Sequence, residues 1–406
     1  MERIMSLVGL ITMVGIAYAM STSRKHIKWK TVLMGVALQA IFGLLILKTP
    51  FGRQFFALIK EGFNNVLAFT NEGSSFVFGG LSDPSKFGFV FAFMVLPTII
   101  FMSSLMSVLY HIGIMQKLVE WTAKIMMKFM GTSGAESLAA AANIFAGQTE
   151  APLVIKPFVD KMTNSELMAL MTGGMATVAG GVLAAYVGMG IDAGHLLAAS
   201  VMSAPAALAI AKLMIPETEE STTAGVVDIN LPQTNANVID AAANGAGEGL
   251  TLALNVGAML LAFIALIAML NGILGFVGGW FGHPELSFEF LLGYAFAPFA
   301  FLLGIPWDEC VRVGIMLGKK TVVNEFVAYL DLQTAIKNAA VSPRSTTIAT
   351  YALCGFANFS SIAIQLGGIG GIAPRRRHDL ARLGIKALIG GTLACFMTAC
   401  IAGLLI

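Results

Sequence analysis

The chain has 406 residues, of which 57% are hydrophobic and 12% are charged, with a mean hydropathy of +0.80 and a net charge of +2. Ordinary globular proteins carry about 25% charged residues, so this composition excludes a soluble chain built around one large core. Several apolar stretches reach the ~20 residues that a helix needs to span a bilayer, which predicts a polytopic membrane protein. The sequence has no basic patch with interspersed aromatic residues, so no nucleic acid partner is expected.

Two uninterrupted apolar helices are predicted at the start, Ile4–Met20 and Thr31–Leu47, and a basic loop separates them. By the positive-inside rule this loop is cytoplasmic, which places the N-terminus outside. A second basic cluster, Arg375-Arg376-Arg377, precedes the last predicted helix, Leu388–Leu405. Placing that cluster inside puts the C-terminus outside as well. Both termini on one side require an even number of crossings.

Five more full spans are expected between these ends, which makes eight in total: Phe87–Leu109, Glu166–Val187, Ala193–Ile215, Leu250–Ile273 and Thr346–Gln365. Two further apolar regions, Ala135–Phe158 and Phe288–Tyr329, are each interrupted by polar residues. Re-entrant hairpins preserve the parity and explain the interruptions, because irregular backbone at membrane depth is tolerated only within protein or along a cavity.

The remaining segments are expected at the membrane surface. Phe51–Phe69 has the apolar spacing of an amphipathic helix on the outer face, and Met115–Phe129 has that of a cytoplasmic counterpart. Glu217–Gly249 is the most polar stretch and is predicted to be a cytoplasmic loop with an interfacial helix. The predicted fold class is therefore an all-α polytopic membrane protein with eight transmembrane helices, two re-entrant hairpins and interfacial helices.

The order hairpin, broken helix, helix occurs twice, over Ala135–Ile215 and Phe288–Ile406, with the two hairpins entering from opposite faces. Such an inverted repeat places a substrate site near the midplane, where the helices break. The chain is accordingly divided into four parts. Residues 1–110 hold scaffold helices and the outer interfacial helix, and residues 111–216 form the first half of a transport domain. Residues 217–275 hold a cytoplasmic connector with a scaffold helix, and residues 285–406 form the second half of the transport domain.

Polar clusters at membrane depth indicate the candidate site. A carboxylate near the bilayer centre costs roughly 2.5–3.5 kcal/mol, so Glu150 is interpreted as functional. Gly147 permits a tight turn from which Gln148, Thr149 and Glu150 present an amide, a hydroxyl and a carboxylate. The adjacent glycines in Ala176–Val182 indicate either close helix packing or an unwound stretch whose carbonyls bind a cation.

In the second half, Asn324-Glu325 offers a carboxylate for substrate hydroxyls, and the run from Phe356 to Ser361 combines polar residues with an aromatic ring. That combination suits a hydroxylated ring ligand. A role of the serines in helix packing is the alternative.

These motifs resemble those of concentrative nucleoside transporters, of the bacterial sodium-coupled type. Five ordered motifs carry the resemblance: Asn71-Glu72-Gly73 with Phe76-Val77-Phe78-Gly79, Gly147-Gln148-Thr149-Glu150-Ala151-Pro152, Ala176-Thr177-Val178-Ala179-Gly180, Lys320 with Asn324-Glu325-Phe326, and Gly355-Phe356-Ala357-Asn358-Phe359-Ser360-Ser361. The resemblance implies an eight-helix protomer in a homotrimer, embedded in the lipid bilayer of a bacterial inner membrane, with a nucleoside as substrate.

The resemblance also implies the roles of individual residues. The nucleobase would face Gln148, Thr149 and Glu150 with Val182 nearby. The ribose would be held by Glu325, Asn358 and Ser361, with Phe356 in the same wall. Sodium, the co-transported ion, would be held by four residues between the first hairpin tip and the broken helix, namely by the side chains of Asn143 and Thr177 and the carbonyls of Ala146 and Val178.

The expected function is import of nucleosides by sodium symport, with alternating access through movement of the hairpin-bearing domain. Proton coupling is the alternative, since Glu150 or Glu325 could titrate. An intramembrane enzyme is the rival from another class, but the sequence lacks a nucleophile–base pair or a metal motif. A passive channel is a further rival. The base preference stays open, because Gly181 stands where a serine is common in animal relatives of the family.

Overall fold

Helices are the only regular secondary structure in residues 1–88, 90–224 and 235–406, the part of the chain that this computed structural model describes. The predicted all-α class is thus confirmed. The first thirteen helices are α1 (Glu2–Ala19), α2 (Trp29–Leu47), α3 (Pro50–Phe78), α4 (Pro84–Phe87), α5 (Phe91–Met94), α6 (Leu96–His111), α7 (Ile114–Met130), α8 (Gly134–Ala142), α9 (Ala151–Val154), α10 (Lys156–Val159), α11 (Asn164–Ala176), α12 (Gly180–Gly188) and α13 (Ala193–Met214). The others are α14 (Val238–Trp280), α15 (Phe288–Leu302), α16 (Cys310–Val322), α17 (Glu325–Lys337), α18 (Pro343–Leu353), α19 (Phe359–Ile372) and α20 (Arg377–Leu405).

Seven helical segments of the described residues are long and apolar enough to cross a bilayer. They correspond to seven of the eight predicted spans. The remaining one, Thr346–Gln365, is divided, because α18 ends at Leu353 and α19 begins at Phe359. The predicted span Phe87–Leu109 is interrupted too: α5 ends before Val95 and α6 restarts with Pro97 at its second position, where the missing N–H is tolerated.

The predicted bounds of the second hairpin, Phe288–Tyr329, are wrong. The hairpin consists of α16 and α17, which turn at Val323 and Asn324, and Lys319 Nζ lies 2.9 Å from Asp331 Oδ2 across the pair. Helix α15 is a separate element that packs along α16, where a methyl group at Gly314 would lie 2.5 Å from the Gly293 carbonyl oxygen. The prediction failed because α15 is an apolar helix of only 15 residues, too short to be counted as a span of its own, and was therefore joined to the hairpin that follows it.

Glu217–Gly249 was predicted to be a loop with an interfacial helix separate from the span Leu250–Ile273, and that separation is wrong. Helix α14 begins at Val238, where the Asn237 side chain accepts a hydrogen bond from the Asp240 N–H, and it continues for 43 residues. At 1.5 Å per residue its length is about 65 Å, more than twice the thickness of a hydrocarbon core. Residues 225–234 of the predicted loop lie outside the described residues. The two predicted amphipathic helices are present as α3 and α7, and α3 is longer than expected.

The two hairpins enter from opposite faces, which confirms the inverted repeat. The first hairpin consists of α8 and, after the tip, α9 and α10, which ends at the cap residue Asp160. This end lies beside the start of α20, where Arg376 Nη1 donates to the Asp160 carbonyl oxygen at 3.4 Å. The second hairpin lies beside the end of α12, where Gln333 Nε2 donates to the Met189 carbonyl oxygen at 2.6 Å. Because α11 starts just after Asp160 and α12 ends just before Met189, these contacts mark opposite ends of one broken helix.

Two helix breaks, one between α11 and α12 and one between α18 and α19, meet inside the protein. The Phe356 N–H donates to the Thr177 carbonyl oxygen at 3.2 Å, and the Gly180 N–H donates to the Phe145 carbonyl oxygen in the first hairpin tip at 3.0 Å. A methyl group at Gly355 would lie 2.6 Å from Cys395 Sγ, so the close approach requires glycine. Backbone groups released by each break are therefore satisfied by the other break and by a hairpin.

The two ends of the chain also meet. Arg3 Nη2 donates to the Ile406 carbonyl oxygen at 2.5 Å, while Arg344 binds Glu2 Oε2 at 3.2 Å and the Gly403 carbonyl oxygen at 2.7 Å. Both termini lie on one side, as an even number of crossings requires. That this side faces out of the cell stays a prediction from the basic loops.

Helix α1 packs through Gly9 on the end of α15, where a methyl group would lie 2.0 Å from the Leu302 carbonyl oxygen. We expect Gly9→Ala to lower the thermal unfolding midpoint of the detergent-purified protein, because overpacking costs about 1–3 kcal/mol. Gly15→Ala is the control, since a methyl group there meets nothing within 4 Å. Its midpoint should stay or rise, and equal midpoints for the two variants would contradict this packing.

Candidate functional site

A cavity of about 140 Å³ lies where the two hairpin tips approach the two helix breaks. All eight residues predicted to contact substrate line it, namely Gln148, Thr149, Glu150, Val182, Glu325, Phe356, Asn358 and Ser361. Its volume is close to that of an engineered cavity of roughly 150 Å³ that binds benzene, so it accommodates one planar ring. The structure thus brings together residues that are up to 213 positions apart in the chain.

The first hairpin tip is closed by its own carboxylate. Glu150 Oε2 accepts a hydrogen bond from the Gly147 N–H at 2.8 Å, which folds the tip into a tight turn. Gln148 then extends across the cavity wall, and its Nε2 donates to Ser361 Oγ on α19 at 3.0 Å. Gln148 is 6% exposed, so its amide is held within protein. The tip of the first half is therefore bound to a helix of the second half.

The second hairpin tip presents Glu325, whose two carboxylate oxygens each accept one hydrogen bond. Tyr186 Oη donates to Oε1 and Asn358 Nδ2 donates to Oε2, both at 2.9 Å. Glu325 is 5% exposed, so these donors replace water at a group that would be expensive to bury alone. The remaining lone pairs of the carboxylate are available to ligand hydroxyls.

Asn358 has a second role as the cap of α19. Its Oδ1 accepts hydrogen bonds from the Ser361 N–H at 2.9 Å and from Ser360 Oγ at 2.7 Å. With its oxygen so occupied, its amide nitrogen must face Glu325. One asparagine therefore both starts the half-helix and fixes the donor beside the carboxylate.

Three helices begin at the cavity: α12 at Gly180 and α19 at Phe359, which each follow a helix break, and the hairpin arm α17 at Glu325. The positive ends of their dipoles lie near Glu150 and Glu325 and favour the negative charge of both carboxylates. A buried cation, Lys320, lies nearby; it is 0% exposed and donates from Nζ to the Ala352 carbonyl oxygen at 2.8 Å. It lies in the last turn of α16 and binds the last turn of α18, the negative ends of two helices.

The opposite wall of the cavity is apolar. Val182 and Phe356 come from the two broken helices, as predicted. Four further side chains come from the long helix α14, namely Leu252, Val256, Met259 and Leu260. Apolar side chains with a few directed polar groups are typical of small-molecule sites.

The four residues predicted to hold sodium are all buried, with exposures of 1% for Asn143, 2% for Ala146, 1% for Thr177 and 0% for Val178. Neither Nδ2 nor Oδ1 of the Asn143 amide has a hydrogen-bond partner among the described residues. A methyl group at Gly173 would lie 3.1 Å from Asn143 Nδ2, so the amide packs on α11 one turn before Thr177. A buried amide oxygen without a partner and neutral oxygens nearby suit sodium, a hard cation.

Sequence reasoning missed several residues of the site. Tyr186 binds Glu325 but lies in an apolar helix, where a tyrosine gives no functional signal. The contribution of α14 was missed because its apolar residues resemble those of any membrane span. Gln365, named above only as the last residue of a predicted span, donates from Nε2 to Gln148 Oε1 at 3.1 Å. A buried glutamine in a glycine-rich apolar helix was the one signal that could have identified it.

Comparisons with known proteins agree with this architecture. The family model described as "Na+ dependent nucleoside transporter C-terminus" matches residues 195–403, its N-terminal counterpart matches 8–81, and a "Nucleoside recognition" model matches 92–193. An "Uncharacterized transporter" of Haemophilus influenzae is 50% identical over 411 residues, covering 100% of this chain and 98% of that protein. "Sodium/nucleoside cotransporter 2" of Rattus norvegicus is 41% identical and covers 100% of this chain, which spans 63% of that protein.

Solved structures of similar proteins share the fold over nearly the whole chain. "CNTnw in an inward-facing substrate-bound state" is 48% identical with a TM-score of 0.95, covering 100% of this chain and 98% of its own. A doubly substituted CNTnw in an outward-facing state matches with the same identity and TM-score. These relatives are transporters rather than enzymes. The family models, the level of identity and the shared fold together establish that this chain belongs to the concentrative, Na+-dependent nucleoside transporter family.

Proposed function

We propose that the protein is a secondary active symporter that imports nucleosides together with sodium. The observation that carries this proposal is the cavity itself, where a ring-sized apolar space faces two hairpin tips that each present a carboxylate. The named relatives include a sodium/nucleoside cotransporter, which supports both the substrate class and the ion.

The nucleobase is assigned to the first hairpin tip. Gln148, Thr149 and Glu150 offer hydrogen-bonding groups at one edge of the cavity, and Val182 and Phe356 offer faces on which a ring can pack. A planar heterocycle needs such a combination, with apolar contact to its faces and polar contact to its rim.

The ribose is assigned to Glu325, Asn358 and Ser361. Two donors already hold the Glu325 carboxylate, so its orientation is fixed before substrate arrives. A preorganised carboxylate can accept hydrogen bonds from vicinal hydroxyls without a further ordering cost. A ligand that lacks the hydroxyls leaves these buried groups unpaired, which disfavours its binding.

Sodium is assigned to Asn143, Thr177 and the carbonyls of Ala146 and Val178. Asn143 and Gln148 belong to the same hairpin tip, five residues apart. A cation bound to Asn143 orders the tip on which Gln148 stands, so the cation-loaded protein binds substrate more tightly. By linkage, bound substrate strengthens sodium binding by the same factor.

Transport follows from movement of the hairpin-bearing residues 111–216 and 285–406 relative to a scaffold of residues 1–110 and the span of α14. The α14 side of the cavity has only apolar contacts, which slide more easily than directed hydrogen bonds. Exposed apolar residues along α14, such as Leu254, Leu261 and Ile264, suit contact with lipid or with further copies in a homotrimer. We assign the protein to the bacterial inner membrane, with both termini on the outer, periplasmic side.

A proton-coupled symporter is the second candidate, because Glu150 and Glu325 are two carboxyl groups at the substrate cavity. Uptake of labelled uridine into proteoliposomes separates the two. We expect accumulation with an inward sodium gradient at equal pH on both sides. Accumulation driven by a pH gradient without sodium would overturn sodium coupling, and equilibration without accumulation would indicate a channel.

Glu325→Gln should raise the KM for uridine by about tenfold or more, because a neutral amide accepts hydroxyl hydrogen bonds less strongly than a carboxylate. The KM for 2′,3′-dideoxyuridine, which lacks both hydroxyls, should change much less. Competition of each nucleoside against labelled uridine measures both values. An equal loss for the two ligands would count against the ribose assignment.

Thr177→Val should raise the sodium concentration for half-maximal uptake by about tenfold, because it removes one oxygen ligand while keeping the shape of the side chain. Thr350→Val is the matched control: both threonines are at most 2% exposed, and each hydroxyl donates to the carbonyl four residues earlier. The control should keep the sodium dependence of the unaltered protein. If both variants need the same sodium concentration for half-maximal uptake, Thr177 is not a sodium ligand.

A further inference from the structure

Gln365 is a buried glutamine that lies behind the cavity without lining it. It is 0% exposed, on α19 one turn after Ser361. Its Nε2 donates to the Met171 carbonyl oxygen at 3.0 Å and to Gln148 Oε1 at 3.1 Å. Gln365 is absent from the cavity wall, so it can influence a ligand only through the residues it binds.

The hydrogen-bond pattern fixes which way each amide points. A backbone carbonyl can only accept, so the group of Gln365 that faces Met171 is its NH2. The Gln148 atom beside that NH2 is therefore Oε1, and Gln148 Nε2 points away from it, to Ser361 Oγ at 3.0 Å. The Ser361 hydroxyl accepts this bond, which leaves its own proton for another acceptor.

The packing leaves Gln148 little freedom to turn over. A methyl group at Gly174 would lie 2.9 Å from Gln148 Cβ and 3.0 Å from Gln365 Nε2. Both glutamines therefore press against the backbone of α11. If Gln148 turned its amide over, its NH2 would face the NH2 of Gln365, and two donors would oppose each other in a buried place.

We propose that Gln365 is a positioning residue that holds the Gln148 amide with its N–H bonds toward Ser361 and the cavity. The site then selects ligands that place a hydrogen-bond acceptor, such as a ring carbonyl, opposite Gln148. This rests on the proposed function, in which Gln148 faces the nucleobase. A base with an amino group at that point sets donor against donor and binds more weakly.

Gln365→Met tests the proposal, because it keeps the length of the side chain and removes both donors. We expect the KM for uridine to rise about tenfold, a usual scale for one lost hydrogen bond. The maximal rate and the sodium concentration for half-maximal uptake should stay unchanged. Gln365→Glu is the second variant if the first does not fold, since a carboxyl group can donate at most one of the two bonds.

Gln39→Met is the matched control. Gln39 is also 0% exposed, its Nε2 donates to Thr398 Oγ1 at 2.7 Å, and its Oε1, like that of Gln365, has no partner among the described residues. It lies on α2 and does not line the cavity. The control should keep the KM for uridine, so a general effect of losing a buried amide is separated from an effect on the site.

A double-mutant cycle gives the decisive readout. If Gln365 acts through Gln148, the variant with both Gln148→Met and Gln365→Met should have the same KM as Gln148→Met alone. If the KM of the double variant instead rises by the product of the two single-variant increases, the proposal is overturned. So would a KM for Gln365→Met equal to that of Gln39→Met while the unaltered protein takes up uridine. Absence of sodium-stimulated uptake by the unaltered protein would instead refute the proposed function.

Discussion

Backbone groups at membrane depth need hydrogen-bond partners, and this requirement governs the architecture. Lipid offers no partner to an N–H or C=O that a helix break releases. Here the breaks satisfy each other: the Phe356 N–H bonds the Thr177 carbonyl, and the Gly180 N–H bonds Phe145 in a hairpin tip. Broken helices therefore occur as a packed pair with hairpins beside them. The polar centre that results is also the place where a polar substrate can be bound.

The two halves of the repeat exchange their hairpin contacts. Gln148 of the first hairpin binds Ser361 of the second half, and Glu325 of the second hairpin binds Tyr186 of the first half. Each hairpin tip is thus held by a helix that belongs to the other repeat. Displacing one tip changes the hydrogen bonding of the other half, which gives the site a structural basis for responding to ligand as one unit.

The base and the tip of the first hairpin are held by interactions of different strength. At the base, Lys212 Nζ lies 2.7 Å from Glu136 Oε2 and 3.1 Å from Glu217 Oε2, all within protein. Removing one partner from such a buried pair leaves an uncompensated charge, which costs about 3–5 kcal/mol. At the tip, Gln148 is held by bonds between neutral groups, each contributing about 0.5–1.5 kcal/mol. The base is anchored while the tip can respond to ligand.

The sequence alone determined the class of the protein, and its resemblance to a known family named the eight predicted residues that line the cavity. Polar side chains are expensive at membrane depth, so Gln148, Glu150, Glu325 and Asn358 stand out wherever they occur. The bounds of the second hairpin and of α14 were misjudged. Helix α15 is apolar but too short for a span, so it was assigned to the hairpin that follows it. The polar start of α14 likewise concealed its continuation as helix.

Only the tertiary structure decided which polar groups bind each other. The hydrogen bonds of Gln148 with Gln365 and of Glu325 with Tyr186 join residues 217 and 139 positions apart, and no local pattern encodes them. The contribution of α14 to the cavity depends on which face of an evenly apolar helix turns inward. The free-energy cost of burying a polar side chain in a membrane makes such a residue recognisable in the sequence. Its orientation and its hydrogen-bond partner depend on packing across the whole chain.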